Sequence, residues 1–312
     1  MSAFLPDETR ISQVHLRTGN LERALGFYTG VLGLRVVERP GPEVTLSATG
    51  GHPVMIALTE EPGATSRPRQ TIGLYHFAIR YPTRRHLAQA LGRLLRHGYP
   101  IQGASDHLVS EAIYLSDPDD NGVELYADRP RSRWVWHNGQ IEMTTEPLDL
   151  DKLLATSQGQ SPPSPHVPPK TDLGHIHLHV ADLAAAERFY HEFLGLAVTQ
   201  RSYPGALFFS AGGYHHHVAV NTWAGELSAP PNSTGLISCR LEVPVAEILY
   251  CLQHRAPLAG YQARTLAGEH GSEMLQIRDP NGTWLELEYV PPAMQPESSE
   301  NALNSKRATQ NK

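Results

Sequence analysis

Histidine is the residue type with the widest chemical scope in this chain. The sequence contains 17 histidines, and imidazole can bind metal ions or exchange protons near neutral pH. Three are consecutive, His215, His216 and His217, and strand geometry would direct the middle one to the opposite face. We expect cavity lining or hydrogen bonding there rather than a second metal, because short histidine tracts bind metals only where geometry agrees.

Length and net charge limit the number of domains and the kinds of partner to expect. The 312 residues suit two medium-sized domains better than one large core. A net charge of -6 gives no reason to expect nucleic acid or an anionic membrane as a partner, and no apolar run approaches a membrane span. No secretory signal pattern is present, and the two cysteines, Cys239 and Cys251, form neither a disulfide framework nor a metal-ligand motif. We therefore expect a cytoplasmic protein.

The chain contains two copies of one unit. The segment Ile11–Leu16 recurs as Leu173–Leu178, an offset of 162 residues. Far downstream, Asp117-Pro118 matches Asp279-Pro280 at the same offset. One register therefore holds from the first strand to the last, which indicates a tandem repeat. The sequence predicts an N-terminal domain at residues 8–135 and a C-terminal domain at residues 171–290.

Each copy divides again into two modules of one strand, one helix and three strands. Residues 11–18 have a strand pattern, and Asn20 can cap the helix that follows. The second module repeats this order, with Thr83 as the helix cap. Four such modules indicate an α+β fold. Residues 136–170 are expected to be a connector with a Pro/Ser-rich linker, and residues 291–312 a disordered tail.

Four modules of this kind resemble the vicinal oxygen chelate superfamily, which includes extradiol dioxygenases, glyoxalase I and bleomycin-resistance proteins. Residues 74–79 (LYHFAI) and 103–114 (GASDHLVSEAIY) look like bacterial catechol 2,3-dioxygenases. The resemblance covers nearly the whole folded chain. It implies four βαβββ modules that pair into two half-open β-barrel domains, with the two modules of the N-terminal domain, residues 8–135, paired around one metal ion as the catalytic domain.

The resemblance assigns the metal ligands to His15, His76 and Glu124. Two imidazoles and one carboxylate leave coordination positions open for substrate and dioxygen, a set that favours iron(II), with manganese(II) as an alternative. A lone strand histidine is more often packed or at the surface, and a glutamate after an Asn-Gly turn is usually solvated. The three residues together, at intervals of 61 and 48 residues, favour the ligand role.

Ring cleavage also needs groups that accept and return protons. The resemblance assigns this work to His52, His107 and Tyr114. Histidine titrates near neutral pH, and a tyrosine can hydrogen-bond a bound phenolate. The spacing from His107 to Tyr114 is shorter than in better-known members of the family, which leaves the role of His107 open.

The second copy lacks several of these groups. At the position that matches His76 it has Ser238, and a serine hydroxyl is a poor replacement for imidazole. The positions that match the proton-transfer groups are Tyr214, Glu269 and Gln276. A slip of one residue would restore two histidines, His215 and His270. We expect a degenerate copy that keeps the fold, and one metal ion per chain.

These expectations define an extradiol ring-cleaving dioxygenase that acts on a small aromatic diol with O2. One alternative is a glyoxalase-like isomerase, which needs a fourth, carboxylate ligand from the last strand of its first module. That strand, residues 54–58, is wholly apolar here. Another alternative is a non-enzymatic small-molecule-binding or resistance protein, because a fold does not fix a function. The sequence leaves a homo-oligomer open.

Overall fold

The structure is a computed structural model that describes residues 5–157, 164–268 and 273–291. Four modules are present, as predicted. Module 1 consists of β1 (Arg10–Thr18), α1 (Leu21–Leu25), β2 (Arg35–Glu38), β3 (Glu43–Ser47) and β4 (Ile56–Glu60). Module 2 consists of β5 (Gly73–Arg80), α2 (Arg84–Arg96), β6 (Gly103–Asp106), β7 (Ser110–Ser116) and β8 (Gly122–Asp128). The helix of module 1 continues directly as a π-helix, Gly26–Val31.

Short elements connect the two copies. They are a 3-10 turn (Arg131–Arg133), β9 (Trp136–His137), β10 (Gln140–Ile141), β11 (Glu146–Pro147) and α3 (Leu150–Ala155). Module 3 then consists of β12 (Asp172–His179), α4 (Leu183–Glu187), a π-helix (Arg188–Phe193), β13 (Ala197–Gln200), β14 (Ala206–Ser210) and β15 (Val218–Asn221). Module 4 consists of β16 (Gly235–Val243), α5 (Glu247–Leu258), β17 (Ala263–Ala267), β18 (Glu273–Arg278) and β19 (Trp284–Tyr289).

The strands form two large sheets, each curved into a half-barrel. One sheet has the order β17-β18-β19-β16-β1-β4-β3-β2 and joins modules 1 and 4. We call it the 1/4 half-barrel. The other has the order β11-β6-β7-β8-β5-β12-β15-β14-β13 and joins modules 2 and 3. We call it the 2/3 half-barrel. The α+β architecture of paired modules is therefore confirmed.

The partners within each half-barrel differ from the expectation that modules 1 and 2 share one site. β1 pairs antiparallel with β16, and β5 pairs antiparallel with β12. Each sheet therefore takes one module from each sequence copy. Hydrophobic periodicity specifies which face of a strand is buried, but it does not specify which distant strand lies beside it. The sequence limits of the two copies, 8–135 and 171–290, stay predictions.

Asn20 and Thr83 cap the first helices of modules 1 and 2, as their sequence positions predict. The side chain of Asn20 accepts a hydrogen bond from the backbone N–H of Arg23 at 2.8 Å, and Thr83 accepts one from His86 at 3.3 Å. Such caps satisfy N–H groups that have no partner within the helix. They fix where each helix leaves the preceding strand, and therefore how the first strand of each module is oriented.

The connector is more ordered than a linker. β9 and β10 form a hairpin, and β11 adds a strand beside β6 at the edge of the 2/3 half-barrel. The side-chain amide of Gln200 donates a hydrogen bond to the Ile141 carbonyl at 2.7 Å, which ties the hairpin to module 3. Residues 158–163 of the expected linker and residues 292–312 of the expected tail lie outside the described residues.

One cluster of buried apolar side chains includes residues from all four modules. Burial of this size is the main favourable contribution to folding, and it fixes the half-barrels relative to the helices that cover them. Among the described residues, no helix is both long and apolar enough to cross a membrane.

Candidate metal centre and active site

The 2/3 half-barrel encloses a cavity of about 420 Å³. Its lining comes from module 2, module 3 and the connector, which contributes Met143 and Thr145. Gly122 begins β8 at the edge of this cavity, and a Cβ there would lie 2.1 Å from the Tyr75 carbonyl oxygen. Only glycine therefore allows β8 to lie this close to β5, which brings Glu124 beside the histidines of the neighbouring strands.

Three buried side chains converge at the base of the cavity. Nε2 of His76, on β5, lies 3.1 Å from Oε2 of Glu124, on β8. Nε2 of His175, on β12, lies 3.1 Å from the same oxygen. The three residues are between 2% and 7% exposed, and their donor atoms all lie within 4.8 Å of one another. Two imidazoles and one carboxylate are a donor set that divalent transition metals accept.

The electrostatics of this cluster favour a bound cation. Burial lowers the pKa of His175 to about 4, so its imidazole is neutral at neutral pH. Among the described residues, no arginine or lysine forms an ion pair with Glu124. In addition, Nε2 of His76 and Nδ1 of His175 are buried without a hydrogen-bond partner of good geometry. A buried carboxylate beside lone-pair nitrogens is costly unless a cation is present, so the residues fit a metal ion.

His15 is not part of this cluster. It lies on β1 in the 1/4 half-barrel, where its Nε2 is 2.7 Å from Oγ1 of Thr59 and its strand partner is Ser238. The predicted triad is therefore not assembled: the structure brings together His76 and Glu124, and the third member of their cluster is His175. The cause is the pairing of module 2 with module 3 instead of module 1.

His177 occupies the position in module 3 that His15 occupies in module 1. It pairs with His76 across β12 and β5 and lines the cavity. Its Nε2 is 2.9 Å from Nδ2 of Asn221. The amide oxygen of Asn221 accepts the backbone N–H of Trp223, so the amide nitrogen is the group that donates to His177. This bond occupies the Nε2 lone pair, and His175 is the better ligand.

His107 and Tyr114 lie together in the cavity wall. Nδ1 of His107 donates to the carbonyl oxygen of Thr144 at 2.5 Å. Its Nε2 is then an acceptor in the neutral ring, and the Tyr114 hydroxyl donates to it at 2.7 Å. Burial and the nearby Glu124 carboxylate raise the pKa of Tyr114 well above its usual value. Tyr114 is therefore a neutral hydrogen-bond donor.

His52 lies elsewhere. It is an exposed residue in the loop between β3 and β4 of the 1/4 half-barrel, and it is not among the residues that line the cavity. The structure therefore does not place it with His107 and Tyr114. The two remaining positions of the second copy, Glu269 and His270, lie outside the described residues.

The histidine tract supplies a residue that the expected set lacked. It lies in the loop before β15, and its middle member, His216, lines the cavity. Nδ1 of His217 lies 3.0 Å from the Ser210 hydroxyl. The nitrogens of His175, His215 and His216 lie within 4.8 Å of one another, but His215 and His216 are joined through their Nδ1 atoms at 2.8 Å. The sequence signal that could have identified His216 was the alternation of side chains along a strand, which directs the middle histidine of the tract to the opposite face from its neighbours.

Comparison with known proteins agrees with this architecture. A model of the Glyoxalase/Bleomycin resistance protein/Dioxygenase superfamily matches residues 10–125 and 172–287, two segments that begin 162 residues apart. The chain belongs to this superfamily. It is 42% identical over 281 residues to a catechol-2,3-dioxygenase of Bacillus subtilis, a match that covers 88% of this chain and 95% of that protein. The expected resemblance and the expected class of enzyme, a dioxygenase, are confirmed.

Solved structures share the fold at low identity. A structure from Bacillus subtilis superimposes with a TM-score of 0.64 at 14% identity and covers 93% of this chain and 87% of that chain. Glyoxalase I from Zea mays superimposes with a TM-score of 0.57 at 16% identity and covers 90% of this chain and 92% of that chain. These likenesses concern the fold, and the choice among activities depends on the site.

Proposed function

We propose that the protein is an extradiol ring-cleaving dioxygenase that acts on catechol-type diols with O2 at one iron(II), held by His76, Glu124 and His175. The observation that carries the proposal is the buried cluster of these three side chains at the base of a cavity. The similarity to a catechol-2,3-dioxygenase over most of both chains supports the same reaction.

The metal ion has a defined part in this proposal. Iron(II), when bound, would supply the site at which a diol and O2 meet. The chain contributes Glu124 as the anionic ligand and two neutral imidazoles, so that open positions remain on the cavity side. Manganese(II) fits the same donor set.

The cavity accepts an aromatic ring. Its volume of about 420 Å³ lies within the usual range for small-molecule sites. Phe208, Tyr203 and Met143 belong to one apolar cluster that contributes to the wall, and such side chains pack well against a ring. The site therefore holds the apolar face of a diol while its hydroxyl groups reach the base of the cavity.

Two groups of the chain are suited to proton transfer. Nε2 of His107 is an acceptor, so His107 is able to take up a proton from a ligand in the cavity. The bond from Nδ1 of His107 to the Thr144 carbonyl holds the ring in place. His107 is the acid and base in this proposal, and the Tyr114 hydroxyl orients it through their hydrogen bond.

The glyoxalase-like alternative has less support. With modules 2 and 3 paired, the strand that would carry the fourth, carboxylate ligand is β15, which reads Val-Ala-Val-Asn. That segment offers no carboxylate. A non-enzymatic binding protein would need the cavity but not the buried Glu124 with its two histidines.

The test is anaerobic reconstitution of metal-free protein with iron(II), and in parallel with manganese(II), followed by oxygen uptake over a panel of catechols and hydroquinones. We expect about one iron per chain and a ring-cleaved product. Glu124→Gln should lose both iron and turnover, whereas Glu286→Gln, its counterpart in the 1/4 half-barrel, should keep both. Iron retention by the Glu124 variant, or iron-loaded wild-type protein that cleaves none of the diols, would overturn the proposal.

A further inference from the structure

A carboxylate lies directly behind the histidine tract. Asp128, the last residue of β8, accepts hydrogen bonds from Nε2 of His215 at 3.0 Å and from the Tyr214 hydroxyl at 3.0 Å. Arg80 lies 3.4 Å from the same carboxylate. Asp128 therefore joins the last strand of module 2 to the loop of module 3 that carries His216.

The direction of these hydrogen bonds fixes where the hydrogens lie. An ionised carboxylate only accepts, so Nε2 of His215 carries a hydrogen. In the neutral ring, Nδ1 of His215 is then an acceptor, and it lies 2.8 Å from Nδ1 of His216. His216 must therefore carry its own hydrogen on Nδ1. Its second nitrogen, Nε2, is left with a lone pair.

The imidazole ring of His216, whose Nε2 has this lone pair, forms part of the cavity wall. His216 is 8% exposed and lines the cavity, whereas His215 is fully buried and does not. The ring centroid of His216 is 4.1 Å from that of His175. Nδ1 of His216 is bonded to His215, so Nε2 is the atom left for a ligand in the cavity.

We infer that Asp128 is a positioning residue: acting through His215, it holds His216 in the tautomer whose Nε2 accepts a hydrogen bond from a ligand in the cavity. With a diol as the ligand, a detail that rests on the proposed function, the donor is a ring hydroxyl. The opposite tautomer would present an N–H group to that hydroxyl instead of an acceptor.

Variants of the chain can separate this role from general support of the fold. Asp128→Asn replaces the carboxylate with an amide whose hydrogens can donate to Nε2 of His215. In both His215 and His216 the hydrogen would then move to the other ring nitrogen. His215→Phe keeps a ring but removes the acceptor for His216. The matched control is Asp172→Asn, because Asp172 also binds Arg80, at 2.7 Å, yet makes no hydrogen bond to His215.

The tautomer is measured directly by long-range 1H–15N correlation spectra of histidine-labelled, metal-free protein at mildly alkaline pH. A His216→Gln variant identifies the His216 signals. We expect a bare Nε2 on His216 in the wild type and in Asp172→Asn, and a protonated Nε2 in a large fraction of Asp128→Asn and His215→Phe. Protonated Nε2 in the wild type, or a bare Nε2 in both test variants, would overturn the inference.

Kinetics give a second, separate readout. The Asp128→Asn variant should lose about ten- to hundred-fold in kcat, the usual effect of removing an outer hydrogen-bond partner, with little change in KM and in iron content. Asp172→Asn should stay near the wild type. If the wild type cleaves no diol, the proposed function fails, while the spectra still decide the tautomer of His216.

Discussion

Apart from the edge strand β11, the two half-barrels have equivalent strand orders, but the surroundings of their buried glutamates differ. In the 2/3 half-barrel, Glu124 lies beside Ala78 on the neighbouring strand, and two imidazoles approach its carboxylate. In the 1/4 half-barrel, the equivalent Glu286 lies beside Arg240. The guanidinium of Arg240 donates to Glu286 at 3.2 Å and to Glu288 at 3.0 Å.

Three differences in sequence therefore separate a metal centre from a salt bridge. The space that Ala78 leaves open beside Glu124 is taken in the other sheet by the Arg240 side chain, which is 14% exposed. Ser238 and Gln13 stand where His76 and His175 would be required. In both sheets the buried carboxylate needs a nearby cation. In the 1/4 half-barrel that cation is the guanidinium of Arg240.

The largest expected effect comes from replacing one histidine of each half-barrel with alanine, His175 in one and His15 in the other. His175→Ala removes one of three protein donors, so iron content and turnover should both fall to background. His15→Ala should leave both unchanged. The measurement is metal content together with oxygen uptake on the same preparations. Loss of iron from the His15 variant, with retention in the His175 variant, would restore the triad predicted from the sequence.

The next effect compares two histidines assigned to proton transfer. His107→Ala should retain iron and slow turnover by about a hundred- to ten-thousand-fold, the usual loss of a general acid or base. His52→Ala should have wild-type turnover, because the exposed His52 lies in the other half-barrel. Iron content measured beside kcat checks both. Wild-type turnover in the His107 variant would mean that the Tyr114–His107 pair is not the proton route.

The sequence predicted the parts of the site that depend on local pattern. The caps at Asn20 and Thr83 follow from short-range spacing, and the resemblance named His107 and Tyr114 without predicting that they are in contact. His175 was missed because it is brought to His76 by the pairing of β5 with β12. A register of this kind is decided by packing between distant strands, and a repeat in the sequence leaves the choice of partner open.

Arg240 allows the comparison to be tested through stability. Arg240→Ala removes the guanidinium that binds Glu286 and should lower the free energy of unfolding by about 3 kcal/mol. Adding Glu286→Leu should recover part of this loss, because the unpaired carboxylate is then gone. Denaturant unfolding of the single and double variants measures both. Equal stability of wild type and Arg240→Ala would mean that the ion pair does not stabilise the 1/4 half-barrel.

The smallest effect concerns the hydroxyl of Tyr114. Tyr114→Phe keeps the ring and removes the hydrogen bond to Nε2 of His107. Because that bond is between neutral groups, its net contribution is about 1 kcal/mol, so kcat should fall by about five- to ten-fold with iron retained. The matched change is Gln276→Met, which removes the corresponding bond to Glu286, 3.0 Å long, and should not alter kcat.

Steady-state kinetics on the best diol found, with iron content measured for each variant, distinguish the outcomes for Tyr114. A loss beyond a thousand-fold would show that the hydroxyl acts on the reacting ring itself and does more than orient His107. No loss would show that His107 is held well enough by the Thr144 carbonyl alone. A fall in kcat for Gln276→Met would contradict the separation of the two half-barrels, because Gln276 binds Glu286 and Arg264 within the 1/4 half-barrel.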